Sequence, residues 1–161
     1  MKKNIIIISL VLLIIIIICI VGIKLNSKTN ISTKQENQEY EKYLLNEIYG
    51  TDVITLINKA ISDNEYNKIQ KDEKGFYIEN NTNSIKIEIV MITDEEKNET
   101  TTYKMESISK VGIVEFIKNF NIVKFKCTKK EYHKETGKIK YIEITQQTIS
   151  KHVIKFRFFR I

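Results

Sequence analysis

The chain has 161 residues, a formal net charge of +6, no proline, no tryptophan and two cysteines. Two cysteines exclude the disulfide framework that stabilises small secreted domains. A charge this mildly basic excludes a polycation, and it gives no reason to predict a nucleic-acid partner.

The chain begins with a long uncharged stretch from Ile5 to Ile23. As a helix it would measure about 28 Å, close to the roughly 30 Å hydrocarbon core of a bilayer. It is longer than a secretory signal core, and Val21-Gly22-Ile23 is not a cleavage triplet. The sequence therefore predicts an uncleaved transmembrane anchor over residues 1–24. A cleaved signal peptide, a buried core helix and lipidation at Cys19 are the alternatives.

Lysines flank this stretch on both sides, at positions 2 and 3 before it and at 24, 28 and 34 after it. The flanks are nearly balanced by the positive-inside rule. A short basic N-terminus before a large C-terminal domain is typical of a signal anchor. We therefore expect a single-pass protein of the cell membrane with its N-terminus inside and its C-terminal domain outside.

Residues 25–34 are polar and predict a linker, and residues 35–161 predict one α+β domain that is large enough to have a core. Apolar positions four apart predict a helix over 35–48. Gly50 fits a helix C′ position, and Thr51 or Asp52 fits the N-cap of a second helix. That second helix carries an isoleucine stripe and ends near residue 62.

Strand patterns follow. Residues 76–78 predict a short strand, and residues 84–92 alternate clearly, with isoleucines at 85, 87 and 89 on one face. An acidic loop over 93–99 separates this strand from a pairing strand over 100–106. The alternation places Tyr103 and Met105 of that strand toward the core.

The last third of the chain predicts one further helix and more strands. Ser109 fits an N-cap for a helix that ends near Phe120. Residues 122–132 and 138–147 predict a hairpin that turns at Thr136-Gly137. A last strand is predicted over 153–159. Strands flanked by a few helices, with polar alternation, indicate an antiparallel sheet.

Cys127 and His133 are the first candidates for catalysis, because a thiol nucleophile needs a base in contact. Cys127 shares a strand face with Val123 and Phe125, which predicts a core position, and His133 lies about 20 Å further along an extended strand. The two histidines are far apart, and no CxxC or HExxH spacing occurs. We therefore predict no catalytic residue, no metal ligand and no cofactor site.

A basic face is predicted on the hairpin and the last strand, because several cationic positions lie opposite the apolar positions of their own strands. A solvated sheet face is the first interpretation of these positions. Contact with an acidic polymer or anionic lipid headgroups is the alternative, and stacking on a single-stranded nucleic acid is the least favoured one. The predicted residues are Lys124, Lys126, Lys130, Lys155 and Arg157.

Two resemblances bear on location. A helix followed by a helical stalk and an antiparallel sheet resembles the layout of pilins and pseudopilins. The prepilin motif is absent, since no Gly-Phe precedes the apolar run. The segments YGTDVITLINKAI and FKCTKKEYHKETGKIKYIEI resemble parts of small, N-terminally anchored, uncharacterised proteins of low-GC Gram-positive bacteria. This second resemblance implies a membrane location and no known activity.

These observations predict a non-enzymatic, membrane-anchored protein whose outer domain binds another envelope component, as in a secretion or pilus-like assembly. The expected partners are the membrane and an envelope protein. A cell-wall-directed enzyme using Glu88, Glu106 or Glu143 is one alternative, although none of these carboxylates has a partner at a readable spacing. A cytoplasm-facing membrane module is the other alternative.

Overall fold

The computed structural model describes residues 2–94 and 99–148. The predicted last strand at 153–159 and the middle of the predicted acidic loop lie outside the described residues. The chain divides into two compact units, residues 1–36 and residues 37–161. The first unit is helical, and the second contains the sheet and its core.

The first helix, α1 (Lys2–Leu44), includes the apolar stretch and also residues 25–34, for which the sequence predicts a linker. In the part of the chain that the structure describes, no helix is long and apolar enough to cross a membrane.

This finding corrects three predictions. Because none of the described helices could cross a membrane, the following predictions are wrong: the transmembrane anchor over residues 1–24, the signal-anchor topology with an outer domain, and the single-pass cell-membrane localisation. The predictions relied on an uninterrupted apolar sequence, and apolar composition alone does not decide which surface such a helix contacts.

The elements that follow α1 are, in chain order, β1 (Ile48–Tyr49), α2 (Gly50–Tyr66), β2 (Lys86–Asp94), β3 (Glu99–Lys104), α3 (Met105–Val111), α4 (Ile113–Phe120), β4 (Lys124–Tyr132) and β5 (Ile139–Gln146). The α+β class is confirmed. The predicted hairpin is confirmed as β4 and β5, and the predicted alternating strand is confirmed as β2.

The five strands form one sheet in the order β1-β4-β5-β2-β3. The pairs β1–β4, β4–β5 and β2–β3 are antiparallel, but β2 and β5 are parallel. The prediction of a purely antiparallel sheet is therefore wrong. The reason is the helical connection formed by α3 and α4. It returns the chain to the end of the sheet where β3 began, so β4 runs in the direction of β3 and β5 in the direction of β2.

The inner face of the sheet packs against α2, α3 and α4. Alternate residues of β2 are buried from Ile87 to Met91, and β5 contributes Ile142 and Ile144. The helices supply buried side chains to the same cluster: Val53, Leu56, Ile57, Ala60, Met105, Ile108, Phe116 and Phe120. Because one cluster joins all these elements, the inner face of the sheet and the helices share a single hydrophobic core.

The buried Asn64 of α2 holds the chain at the beginning of β2. Its side-chain Nδ2 donates to the carbonyl of Ile85 at 2.7 Å, and its Oδ1 accepts the Ile85 N–H at 2.8 Å. The side chain is fully buried. A single amide thus satisfies both backbone groups of Ile85, as a neighbouring strand would.

Gly50 has a different role from the one predicted. The helix α1 ends at Leu44, and Ile48 pairs with Phe125 in β1 rather than continuing the helix. Gly50 is the first residue of α2, and the Asp52 carboxylate accepts the Tyr49 N–H. A Cβ at Gly50 would overlap the backbone carbonyl of Phe120. Glycine is therefore required here for close packing of two backbones and not for a helix C′ conformation.

Three smaller predictions also change. Met105 is buried as predicted, but it begins α3 instead of ending a strand. The predicted helix from Ser109 to Phe120 is divided at Gly112, whose φ of 146° is not helical. Residues 76–78 form no strand; Tyr77 makes an isolated bridge with Lys71.

Candidate functional site: the outer face of the sheet

The outer face of the sheet carries polar side chains where the inner face carries isoleucines. The register places Glu88 of β2 beside Glu143 of β5, and Val90 beside Thr145. These outward positions are half-buried by their neighbours. The helices α2, α3 and α4 pack on the inner side, and within residues 37–94 and 99–148 no helix covers the outer face.

A hydrogen-bonded group, here called the outer-face cluster, occupies the centre of this surface. It consists of Glu88, Thr128, Tyr141, Glu143 and Thr145. The Tyr141 hydroxyl lies 2.8 Å from Glu88 Oε2 and 3.2 Å from Glu143 Oε2. Thr128 Oγ1 donates to Glu143 Oε1 at 2.7 Å and lies 2.9 Å from Thr145 Oγ1.

The Tyr141 hydroxyl has one proton and two carboxylate neighbours. The shorter distance identifies Glu88 as the acceptor. Burial, and then the hydrogen bond and negative charge of Glu88, raise the pKa of Tyr141 well above its usual value, so the phenol stays protonated. Burial would raise the pKa of Glu88, but hydrogen bonds from Lys86 and Tyr141 outweigh it and lower that pKa.

Lysines surround the cluster. Lys86 Nζ lies 2.8 Å from Glu88 Oε1 and 5.5 Å from the centroid of the Tyr141 ring. Lys129 Nζ lies 5.4 Å from the same centroid and 2.8 Å from Glu131. The surface therefore alternates in sign over short distances, with two carboxylates at its centre and ammonium groups beside them.

A β-bulge decides where the predicted basic residues point. Lys126 lies opposite Thr145 and Cys127 opposite Ile144, but Lys129 lies opposite Glu143. Thr128 is thus an extra residue that reverses the alternation of β4. As a result, Lys126 remains on the outer face and Lys130 moves to the inner side, opposite Ile142.

Lys130 is bound on that inner side. Its Nζ lies 3.4 Å from Glu41 Oε1, and Tyr132 donates to the same oxygen at 2.9 Å. The Tyr132 hydrogen bond is the main reason that the pKa of Glu41 is lowered. Lys130 therefore connects the hairpin to the end of α1 and does not share a face with Lys126.

The other predicted basic residues have separate positions. Lys124 is exposed and pairs with Glu47 at 2.9 Å. Lys126 is exposed and has no ion-pair partner within residues 2–94 and 99–148. Lys155 and Arg157 lie outside the described residues. The predicted contact with an anionic surface stays a prediction.

Cys127 and His133 are not brought together as a nucleophile and base. Cys127 packs half-buried against the core, and burial raises the pKa of its thiol. His133 is buried, and its Nε2 donates to the carbonyl of Ser84 at 2.8 Å. The two side chains thus make different contacts: Cys127 packs against the core, and His133 hydrogen-bonds to the backbone before β2.

The three carboxylates considered for catalysis also separate. Glu88 and Glu143 meet in the outer-face cluster. Glu106 is buried elsewhere and accepts the Tyr77 N–H at 3.0 Å, so it positions a loop. A depression of about 380 Å³ lies near the hairpin turn, lined by His133, Glu135 and their neighbours, and neither Glu88 nor Glu143 lines it. Among the described residues, no group of three or more His, Cys, Asp or Glu side chains is arranged to hold a metal ion.

Tyr141 was missed at the sequence level, and so was the meeting of Glu88 with Glu143. Tyr141 and Glu143 lie two residues apart in one strand, so their shared face was readable. The pairing of β2 with β5 was not readable, because these strands are far apart in sequence and nothing local sets their direction.

Comparison with protein-family models, with curated proteins and with solved structures found no match for this chain. The resemblances to pilins and to small anchored proteins of Gram-positive bacteria stay predictions. The chemistry of the outer face is therefore the basis for a proposal about function.

Proposed function

We propose that the second unit is a non-enzymatic binding module that recognises a protein partner through the outer face of its sheet. The observation that carries this proposal is the outer-face cluster. Its donors and acceptors are held by mutual hydrogen bonds on the side of the sheet opposite the helices. A surface whose polar groups are already fixed loses little side-chain entropy when it binds.

Binding is a better proposal than catalysis because of the pKa of Glu88 and the position of the two carboxylates. An acid–base pair needs one carboxyl group with a raised pKa. The pKa of Glu88 is lowered instead, because Lys86 and Tyr141 outweigh its burial. The two carboxylates also lie on the face of a sheet, and the 380 Å³ depression lies elsewhere.

A protein partner is favoured by the alternation of charge. An acidic polymer would favour a uniformly positive surface, whereas this face places Glu88 and Glu143 between lysines. Carboxylate oxygens near one hydroxyl suit an arginine or lysine from the partner, because a guanidinium binds such oxygens in a fixed geometry.

A photo-crosslinking experiment tests the proposal in the cells that produce the protein. A photoreactive phenylalanine analogue at Lys126 would lie on the outer face, and the same analogue at Lys118 would lie on exposed α4. We expect one discrete protein adduct from position 126 and not from position 118. Equal adducts from both positions, or none from 126, would contradict the proposal.

The captured partner must then bind in purified form. We expect Tyr141→Phe and Glu143→Gln each to weaken its affinity about tenfold or more, since both change the centre of the surface. Lys118→Ala is the matched control and should bind as the unmodified protein does. An affinity that is unchanged in both cluster variants would show that the outer face is not the recognition surface.

A further inference from the structure

The two edges of the sheet differ in how well they are closed. The β1 edge is two residues long, whereas the β3 edge is six residues long with the sequence ETTTYK. Within the described residues β3 pairs only with β2, and most of its side chains are exposed. Its second row of backbone N–H and C=O groups therefore has no strand partner in the part of the chain that the structure describes.

The β3 edge also lacks the usual protections against pairing. Natural edges are blunted by proline, by a central charge or by a bulge in the edge strand. β3 has no proline, its charges stand only at Glu99 and Lys104, and the irregularity in its ladder is on β2, between Ile92 and Asp94. Its three central threonines favour extended structure.

We propose that β3 is a self-association edge, at which a second copy of this chain adds its own β3 antiparallel about a two-fold axis at Thr101. The inference is independent of the binding function proposed for the outer face. It predicts a continuous sheet across two copies, with the same edge used by both.

Symmetry restricts the register. A two-fold axis between antiparallel strands of one sheet keeps each face on its own side, so facing residues must have the same parity. Axes at Thr101 or at Thr102 pair most of the strand. An axis at Thr101 places Glu99 opposite the second copy's Tyr103, Thr100 opposite Thr102, and Thr101 opposite itself.

Hydrogen-bond chemistry selects the axis at Thr101. Tyr103 is half-buried and Glu99 is exposed. Neither side chain has a hydrogen-bond partner within residues 2–94 and 99–148. In the Thr101 register each Tyr103 phenol faces the Glu99 carboxylate of the other copy, which can accept its hydrogen bond. The two-fold axis forms this pair twice. The Thr102 register places Tyr103 opposite Thr101 and leaves Glu99 outside the paired segment.

A charge exchange on the full-length chain tests the interface. Thr101→Lys places two ammonium groups face to face across the axis, and Thr101→Glu does the same with carboxylates. We expect each variant alone to raise the dimer dissociation constant at least about tenfold in sedimentation equilibrium. An equimolar mixture of the two variants should restore the dimer.

Thr102→Lys is the register control. With the axis at Thr101 it faces Thr100 and should weaken the dimer less than Thr101→Lys does. A stronger effect at position 102 would overturn the Thr101 register. A wild-type chain that is monomeric at high micromolar concentration, as expected if another segment covers β3, would overturn the proposal.

Cross-linking separates this edge from association through any other surface, including the exposed apolar residues of α1. In a Cys19→Ser, Cys127→Ala background, Thr101→Cys should form a disulfide-linked dimer under mild oxidation, because facing Cβ atoms in antiparallel strands lie about 4.5–5.5 Å apart. Thr51→Cys, an exposed threonine of α2, is the matched control and should remain mostly reduced. Equal yields at both positions would overturn the proposal.

Discussion

On its inner face the sheet presents isoleucines to three helices, while on its outer face the same strands present carboxylates, hydroxyls and ammonium groups. Ile87 and Ile89 are fully buried between strand neighbours that are only half-buried. The inner face is stabilised by removal of apolar surface from water. The outer face is organised by hydrogen bonds that water can partly replace, so it contributes less to stability. It is the face that we propose for recognition.

The largest effect is expected inside, at Asn64. Asn64→Leu would leave the Ile85 N–H and C=O buried without partners, and each such group costs about 1–3 kcal/mol. We expect a loss of about 4 kcal/mol in the free energy of unfolding, measured by urea denaturation. Asn58→Leu, at an exposed position of the same helix, is the control and should change stability by less than about 1 kcal/mol.

Gly50→Ala should have the next largest effect. The added Cβ would overlap the Phe120 carbonyl, so α2 and the end of α4 would have to separate. Overpacking of this kind costs about 3 kcal/mol when backbone must move. The cost is measured by comparing the melting temperature of this variant with that of the control variant Thr51→Ala. A melting temperature equal to that of the control would show that the two backbones are not tightly packed.

Cys127 points toward the inner face of the sheet, as the isoleucines do, but it is only half-buried. Cys127→Ser would place a poorly satisfied hydroxyl against the core and should cost about 1–2 kcal/mol. Cys127→Ala should cost less. Burial raises the pKa of the thiol, so the native protein should react slowly with a thiol reagent at neutral pH. Rapid labelling of this residue in a Cys19→Ser background would reopen its catalytic interpretation.

The smallest effect is expected outside, at Glu88. The pKa of Glu88 is lower in the folded chain than its ordinary value of 4.5. A lowered folded pKa stabilises the fold above the unfolded pKa, and this stability is lost as pH falls through the folded pKa. Glu88→Gln should therefore cost less than about 1 kcal/mol at pH 7, and the difference should shrink between pH 5 and pH 3.

The pH series also sharpens the comparison of the faces. Asn64→Leu removes uncharged groups, so its cost should be the same at pH 7 and pH 4. If the cost of Glu88→Gln were equally independent of pH, the carboxylate would not be held by Lys86 and Tyr141 as the distances of 2.8 Å indicate.

Local patterns predicted the parts of the fold that local physics decides. The alternation of Ile85, Ile87 and Ile89 predicted the inward face of β2, and Thr136-Gly137 predicted the hairpin turn. The parallel meeting of β2 and β5 depends on two helices returning the chain, and no short window of sequence contains that information.

The prediction of a basic face placed Lys130 on the wrong side of the sheet, and the cause is the bulge in β4. Strict alternation placed Lys124, Lys126 and Lys130 together, but the extra residue Thr128 shifts the register after Cys127. Bulges have no strong sequence signature when the extra residue is not glycine. The same shift brings Thr128 to Glu143, so the feature that separates the lysines also helps to build the outer-face cluster.

The parallel contact between β2 and β5 has a consequence for how the chain folds. Both hairpin-like pairs, β2–β3 and β4–β5, close over short sequence separations, whereas Glu88 must find Glu143 across more than a third of the chain. Contacts of high sequence separation form late because loop-closure entropy opposes them. We expect the two hairpins to form first, with their parallel docking as the rate-limiting step. Before this docking, the edge of β2 that will pair with β5 has no partner strand. The risk of misassembly at that edge therefore depends on how quickly β5 pairs with β2.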